Sequence, residues 1–263
     1  VESQMIYYTT PYNTEKNIGE YYNKFISLLP NDDDWACFRD GDTTFLTSNY
    51  GSIIEEAIKN NPQFSAFTCF TNRIGNPKQM LDTLNYPLCD KSDDIRKHRE
   101  ISQQVHEQYG ASVMDLDEWK SNIYPDALMS GFLFLVTKKT ATEIKFEQEG
   151  MLGVDNSFHK RLQEKGLKIG IMKGVYLYHF TNCEYIGVDI GKGKNVDVIS
   201  KCHELECEPE CFDVVITTEM LEHDMYWKKS LEKMVNILKP KGLLIITCAT
   251  TGRAPHGVPS VNP

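Results

Sequence analysis

Hydrophobic positions in the first 180 residues follow two spacings, which predict helices and strands in alternation. Apolar residues three and four positions apart over 17–29 predict an amphipathic helix, and the same spacing predicts another over 50–60. Short apolar runs rich in β-branched and aromatic residues predict strands. These runs cover 5–10, 35–38, 64–70, 128–137, 167–172 and 175–180. Polar residues dominate 76–124, which predicts a surface excursion that carries one helix from about 93 to 109.

The pattern changes near residue 183, where a second series of apolar runs begins. Strands are expected at 185–189, 197–199, 212–217 and 243–247. An amphipathic helix over 229–238 ends before the turn Pro240-Lys-Gly242. The main runs are apolar throughout instead of alternating, which predicts a parallel sheet covered on both faces. The chain is therefore predicted to be α/β, with a second domain that follows closely because no long Gly/Ser linker precedes it.

Charge and hydropathy narrow the classes of partner. The 263-residue chain has a formal net charge of −9, which argues against nucleic-acid binding and membrane-surface binding because both need basic patches. The negative net charge does not exclude a phosphate-bearing substrate, since a divalent ion can supply positive charge locally. The longest apolar runs, 131–136 and 243–246, are too short to cross a bilayer, and no signal peptide is recognisable. We therefore expect no integral membrane segment, and we expect a cytoplasmic location.

The eight cysteines form no compact framework, so reduced intracellular thiols are expected instead of a disulfide scaffold. One local group, Cys202-His203 with Cys207 and Cys211, has a spacing loosely like that of a zinc site. It lacks the paired CxxC knuckles of a strong zinc motif, and a loop with free thiols is the alternative.

Two carboxylates follow the strand predicted at 35–38, in the segment Trp35-Ala-Cys-Phe-Arg-Asp40-Gly-Asp42. Residues i and i+2 of an extended segment point to the same side, so Asp40 and Asp42 can direct their oxygens at one point. Two hard oxygen ligands suit Mg²⁺ or Mn²⁺, which usually keep part of their coordination shell for a substrate phosphate. The alternative is an Asp-Gly turn, which needs no metal.

Four further segments accompany this motif in a particular order. Tyr7-Tyr-Thr-Thr-Pro-Tyr12 ends the first strand, and Gly131-Phe-Leu-Phe-Leu-Val136 opens a buried one. Gly153-Val-Asp155-Asn-Ser-Phe-His-Lys-Arg161 places an acid where a helix begins, and Gly174-Val-Tyr-Leu-Tyr-His179 ends a strand in histidine. With Asp40-Gly-Asp42, this order makes residues 1–182 resemble a GT-A-type glycosyltransferase. The resemblance is to family 2, in the compact form of bacterial and phage genomes. It implies an α/β, GT-A-like nucleotide-diphosphosugar transferase domain with a mixed central sheet.

The resemblance implies a metal site and a donor site. Mn²⁺ or Mg²⁺ would be bound by Asp42, by Asp40 (which could instead contact the donor ribose) and by His179 as a third ligand. The metal would stabilise charge on the departing diphosphate of a nucleotide-sugar donor. Thr10, Pro11 and Tyr12 are expected near the donor nucleotide, and Asn72 and Arg73 are weaker candidates for phosphate or acceptor contacts.

The resemblance also implies a general base. Asp155 would take the proton of a hydroxyl acceptor, on a glycan or surface polysaccharide, in an inverting transfer. Each role has a structural alternative. His179 could be a surface or core histidine, Asp155 could favour the dipole of a helix start, and Arg73 could pair with a surface carboxylate. Only about 30 residues separate the first strand from Asp40, where the usual fold places more strand–helix units, so the donor base stays open.

Residues 183–263 resemble a second family, the class I S-adenosylmethionine-dependent methyltransferases. Tyr185-Ile-Gly-Val-Asp189 is similar to the strand whose terminal acid binds the cofactor ribose, which makes Asp189 a possible contact. Glu210–His223 and Leu238–Ile246 are similar to the fourth strand with its exit and to the turn into the fifth strand. The Gly-rich loop of the first strand does not precede Tyr185, and Gly191-Lys-Gly193 comes too late to replace it. A truncated, partial Rossmann-like half-sheet with weakened cofactor binding is expected.

The sequence thus favours a metal-dependent glycosyltransferase (1–182) followed by a partial methyltransferase-like module (183–263). Two alternatives stay open. One is a methyltransferase that acts through the C-terminal segment, and the other is a non-catalytic remnant used for binding. An unpaired strand edge in the half-sheet predicts either self-association through this region or poor order.

Overall fold

The computed structural model describes residues 4–11, 17–74, 76–81, 94–118, 127–147, 152–180 and 183–249. The chain divides into two compact units, Val1–Thr181 (unit 1) and Asn182–Pro263 (unit 2). No helix in the described ranges is long and apolar enough to cross a membrane.

Unit 1 is a mixed α/β structure built on one central sheet. Its helices are α1 (Ile18–Leu28), α2 (Tyr50–Asn60), α3 (Ile95–Tyr109), α4 (Lys138–Ile144) and α5 (Val154–Glu164). Its strands are β1 (Ile6–Thr9), β2 (Trp35–Arg39), β3 (Thr43–Phe45), β4 (Ala66–Thr71), β5 (Val113–Asp115), β6 (Leu133–Thr137) and β7 (Ile169–His179).

The strand directions bring four strand ends to one edge of this sheet. The strand order is β1-β2-β6-β4-β7-β3, and β5 also pairs with β7. β1 is parallel to β2 and β4 is parallel to β7, while β6 runs antiparallel to both β2 and β4. β1, β2, β4 and β7 therefore share one direction, and their carboxyl ends meet where β6 begins. The edge so formed is called the carboxyl edge below.

Both faces of the sheet are buried, which explains why its strands are apolar runs instead of alternating patterns. On β2, Ala36 and Phe38 pack into a core shared with α1, α3, α4 and α5. Trp35 and Cys37 face the opposite core, to which α2 contributes its buried isoleucines. The two layers of helices fix the sheet and hence the positions of the four strand ends.

Two expectations for unit 1 are wrong. The runs at 167–172 and 175–180 form one strand, β7, because a register shift in the β4–β7 pairing lets the chain continue past Lys173 and Gly174. The stretch 76–124 is not only a surface excursion, since β5 pairs with β7 and α3 buries one side against the sheet. The buried residues of α3, Ile95, His98, Ile101, Ser102 and Val105, form a helical stripe hidden among polar neighbours.

The described part of unit 2 contains two separate parallel pairs of strands instead of one sheet. β8 (Val188–Asp189) pairs with β9 (Val198–Ile199), and β10 (Phe212–Thr218) pairs with β11 (Leu238–Thr247). One helix, α6 (Trp227–Ile237), contacts β11. The expectation of a sheet covered on both faces is wrong for the described residues, because Ile216 of β10 is 58% exposed and both residues of β8 are exposed. Self-association through this region stays a prediction.

Candidate active site

The carboxyl edge of unit 1 gathers most of the side chains expected at a glycosyltransferase site. Asp40 and Asp42 follow β2, His179 ends β7, and Arg73 follows β4. Asp155 lies in the first turn of α5, and its carboxylate reaches the segment that leads into β6. Residues from five separate parts of the sequence therefore meet because the sheet topology places them at one edge.

His179 links Asp42 to the end of β4. Its Nδ1 lies 3.0 Å from the carbonyl oxygen of Arg73, and its Nε2 lies 3.1 Å from Oδ2 of Asp42. A carbonyl oxygen only accepts, so Nδ1 carries a proton and donates it. Nε2 then either carries a second proton and donates to Asp42, or turns a lone pair toward the carboxylate. The second state places two electron-pair donors side by side, as in the ligand set of one cation.

Asn72 fixes the backbone from which His179 projects. Its Oδ1 accepts a hydrogen bond from the backbone N–H of His179 at 2.6 Å, and its Nδ2 donates to the carbonyl oxygen of His179 at 2.9 Å. Asn72 is buried, so these two bonds satisfy an amide that would otherwise be costly to bury. The end of β4 and the end of β7 are therefore held together on both sides of the histidine.

Asp40 and Asp42 differ in environment. The side chain of Asp42 is 61% exposed, whereas Asp40 is largely buried. Burial, with repulsion from Asp42 as the next cause, raises the pKa of Asp40 to about 6. The protein's own groups therefore balance the negative charge of Asp40 poorly, and a bound cation would balance it.

Asp155 is held by a backbone group directly before β6. Its Oδ2 accepts a hydrogen bond from the N–H of Gly131 at 2.6 Å. Burial raises the pKa of Asp155, although backbone hydrogen bonds from Asn156 and Gly131 oppose the shift. A β-carbon at Gly131 would lie only 2.9 Å from Cβ of Asp155, so this approach requires glycine. The expected helix start at Asp155 is confirmed, and the dipole of α5 acts on the same carboxylate.

The expected donor residues are placed unevenly. Thr10 is exposed at the end of β1, where its Oγ1 lies 3.4 Å from a guanidinium nitrogen of Arg39, and Pro11 is half-buried beside it. Tyr12 lies outside the described residues. Arg73 is exposed, and its backbone carbonyl oxygen accepts from Nδ1 of His179.

Sequence reasoning missed two contributors, Arg39 and Gly131. Arg39 donates to the carbonyl oxygen of Thr43 at 2.6 Å and so braces the turn that contains Asp40 and Asp42. A cation between an apolar strand and two carboxylates was a signal for this role. Gly131 gives no such signal, because its importance depends on the approach of α5, which is distant in sequence.

A zinc site at Cys202, His203, Cys207 and Cys211 is not supported by the described residues. Within these ranges, no cluster of three or more His, Cys, Asp and Glu side chains is arranged to hold a metal ion. The expected three-ligand set of Asp40, Asp42 and His179 is therefore not found there either, and the contact between its members is the one from Asp42 to His179. Cys202, Cys207 and Cys211 are free, which fits the alternative of a loop with free thiols.

Asp189 of unit 2 is exposed at the end of β8, and its Oδ1 accepts a hydrogen bond from the N–H of Gly191 at 2.8 Å. This contact closes a tight local turn. The carboxylate is therefore engaged by its own loop, and nothing in the described part of unit 2 encloses it.

Comparison with known families identifies a methyltransferase-like segment. The family model described as "Methyltransferase domain" matches residues 167–246, less than half of the chain. No curated protein matches the chain. The match supports a transferase and makes S-adenosylmethionine a plausible ligand. It begins inside β7, which is a strand of the unit 1 sheet.

The described residues do not fit the cofactor that this family implies. A Gly-rich loop between a first strand and a helix normally lets the backbone approach the cofactor. In this chain, the start of the matched region forms the continuous strand β7, and β8 has exposed side chains. The segment is methyltransferase-like in sequence, but its described part lacks a cradle for S-adenosylmethionine.

Proposed function

We propose that unit 1 is a metal-dependent glycosyltransferase of the GT-A kind. It would transfer a sugar from a nucleotide-sugar donor to a hydroxyl acceptor, such as a glycan or surface polysaccharide. The observation that carries this proposal is the contact of Asp42 with His179, with Asp40 and Asp155 close enough to influence each other's charge at the same edge of a mixed sheet. Neither the family match nor any curated protein supports this assignment, so it depends on the geometry and on the order of motifs.

The metal would be held by Asp42 and His179, with Asp40 next to them. Two neighbouring ligands of an octahedral Mg²⁺-like ion lie about 3 Å apart, given metal–ligand distances of about 2.1 Å. The distance of 3.1 Å between Oδ2 of Asp42 and Nε2 of His179 fits this value. When bound, Mn²⁺ or Mg²⁺ would neutralise charge on the diphosphate, whose oxygens and water would complete the ligand set.

The protein's own groups then account for the transfer. The acceptor hydroxyl gives its proton to Asp155, and its oxygen forms a bond to the anomeric carbon. The bond from that carbon to the diphosphate oxygen breaks, and the nucleoside diphosphate leaves with the electron pair. The raised pKa of Asp155 suits a group that must accept a proton, and the bond from Gly131 occupies one carboxylate oxygen, so the other oxygen would take the proton.

The test is ligand binding followed by turnover. Nucleoside diphosphates are screened by thermal shift with and without Mn²⁺, in the parent protein and in Asp42→Ala, with Asp33→Ala as an exposed control. We expect stabilisation by one base, only with Mn²⁺, in the parent and in the control but not in Asp42→Ala. Release of that nucleoside diphosphate from the matching nucleotide sugar then gives activity. Stabilisation without Mn²⁺, or equal stabilisation of Asp42→Ala, would argue against the proposed site.

A second candidate function is methyl transfer by the C-terminal segment, which the family match favours. It predicts that S-adenosylmethionine stabilises the protein in the same screen, with a loss in Asp189→Ala. The family match supports this candidate, whereas the exposed position of Asp189 and the separation of the strands into two pairs argue against a cofactor site in the described part of unit 2. Stabilisation by S-adenosylmethionine alone would favour methyl transfer over the glycosyltransferase.

A further inference from the structure

Helix α5 holds the segment before β6 through two side chains besides that of Asp155. The backbone N–H of Met129 donates to Nδ1 of His159 at 2.9 Å, and the carbonyl oxygen of Met129 accepts from Nδ2 of Asn156 at 2.8 Å. With the bond from Gly131 to Asp155, three side chains from the first two turns of α5 bind the backbone of 129–131. From the other side, Gln79 donates to the carbonyl oxygen of Ser130 and accepts from its N–H.

The hydrogen bonds fix the tautomer of His159. A backbone N–H only donates, so Nδ1 of His159 must be an unprotonated acceptor. The ring proton then lies on Nε2, which is 3.2 Å from Oδ1 of Asp117. The interaction with His159 is the largest cause of the lowered pKa of Asp117, and Gln163 and Lys78 act in the same direction. Asp117 thus lies within ion-pair distance of a fully buried imidazole whose Nδ1 accepts from Met129, although Nε2 makes no well-directed hydrogen bond within the described residues.

We propose that His159 is a positioning residue for the general base, acting through Met129 and Gly131. This inference rests on the proposed glycosyltransferase function, because it gives Asp155 the role of base. Met129 and Gly131 are two residues apart in the short segment before β6, which turns at Gly131, so a shift at Met129 moves the N–H that binds Asp155. His159 touches neither donor nor acceptor in this scheme. Its effect is to set the direction in which the free oxygen of Asp155 points.

Two conservative variants separate this role from simple packing. The side-chain amide of His159→Asn has a polar atom near the position of Nδ1, so it can still accept from Met129. The longer amide of His159→Gln reaches the position of Nε2, so it keeps a polar atom near Asp117 but loses the bond from Met129. Both replace a buried ring by a smaller amide, so each is the matched control for the packing change in the other.

The first readout is the titration of the Asp155 carboxyl group by NMR, with its signal assigned from Asp155→Asn. Displacing Gly131 removes a hydrogen bond that lowers the pKa of Asp155. We therefore expect the titration to move to higher pH in His159→Gln and to stay in place in His159→Asn. This readout needs no substrate, so it does not depend on the proposed activity. An unchanged titration in His159→Gln, or equal shifts in both variants, would overturn the inference.

The second readout is kinetic and uses the release of nucleoside diphosphate from UDP-glucose, GDP-mannose and related nucleotide sugars with Mn²⁺. A misplaced base costs on the order of 10–100-fold in kcat, while the donor KM should stay within about twofold because the metal site is untouched. We expect this loss in His159→Gln and its reversal in His159→Asn. A KM effect without a kcat effect would contradict the positioning role. A parent protein that cleaves no donor would instead defeat the proposed function, whatever the NMR titration shows.

Discussion

At the scale of single residues, the site contains carboxyl groups whose ionised form is energetically costly because they are partly buried. Asp40 is buried beside Asp42 at the carboxyl edge, and its pKa of about 6 measures how poorly its charge is compensated. Groups of this kind cluster where a ligand supplies the missing charge. The poorly balanced charge of Asp40 therefore predicts two things: it lowers the stability of the fold, and it contributes to the binding of a cation.

Asp40→Asn tests both consequences. An unfolded Asp40 loses its proton near its ordinary pKa of 3.8, and the folded one does so only near 6. The folded state binds more protons between these values, so stability falls as pH rises through this window. Asp40→Asn should therefore raise the free energy of unfolding by about 1–3 kcal/mol at pH 7.5, and by much less near pH 4. Urea unfolding at both pH values checks this, with the exposed Asp33→Asn as control.

The same variant should lose stabilisation by Mn²⁺ with nucleoside diphosphate. A gain in stability together with a loss of binding would mark Asp40 as a functional carboxylate. A destabilised Asp40→Asn would show instead that the carboxylate is needed for folding.

Gly131→Ala tests the closeness of α5 to β6. The new methyl group would meet Cβ of Asp155 at 2.9 Å, so the start of α5 must move and the carboxylate with it. We expect turnover to fall by about 10–100-fold, together with a loss in stability of about 1–3 kcal/mol. Gly51→Ala is the matched control, because Gly51 lies in α2 with nothing within 4 Å of the added carbon. That control should gain up to about 1 kcal/mol and keep its activity.

At the scale of secondary-structure elements, the sequence predicts strand ends better than it predicts strand neighbours. Asp40 closely follows one predicted apolar run and His179 lies at the end of another, and both residues lie at the carboxyl edge. The pairing of β3 and β5 with β7 was not predictable, because each is three residues long and carries no pattern. Helix α3 was predicted within about two residues at each end, but its packing was missed because its buried stripe includes His98 and Ser102. Polar residues that are satisfied in a core resemble surface residues in a sequence.

Asn72→Ala tests how the ends of β4 and β7 are coupled. The variant leaves the backbone N–H and carbonyl of His179 without their partners, which should cost about 1–3 kcal/mol. It should also weaken Mn²⁺ binding by about 10–100-fold, since groups that orient a ligand residue have effects of this size. Calorimetric titration of Mn²⁺ in the presence of nucleoside diphosphate measures the loss.

The control for this prediction is Asn61→Ala. It removes a side-chain hydrogen bond to the carbonyl oxygen of Ala57 at the end of α2, away from the site. This variant should lose some stability and keep its metal affinity. Equal metal affinity in Asn72→Ala and Asn61→Ala would show that Asn72 supports the fold without orienting His179.

At the scale of the whole molecule, the two units differ in how much apolar surface they bury. Unit 1 encloses its sheet between two cores, whereas the strands of unit 2 are mostly half-buried or exposed. Among the described residues of unit 2, the buried apolar side chains are Met234 and Ile237 of α6. Burial of apolar surface is the main source of stability, so unit 2 should unfold at the lower temperature. The sequence predicted the boundary near residue 183 from a change of pattern, but not that the second series of strands would form two pairs.

Calorimetry of the full chain should therefore show two transitions, and each ligand should raise only one of them. Met234→Ala empties a buried position in α6 and should lower the first transition alone, which assigns it to unit 2. Mn²⁺ with nucleoside diphosphate at about 100 times its Kd adds about 2.7 kcal/mol to the unit that binds it, which corresponds to about 5–11 °C for a unit of this size. We expect this rise in the second transition, with its loss in Asp42→Ala. A rise of the first transition with S-adenosylmethionine would place the activity in unit 2, because only a ligand that binds a folded unit delays the unfolding of that unit. A single transition that moves with both Met234→Ala and nucleotide would contradict the independence of the two units.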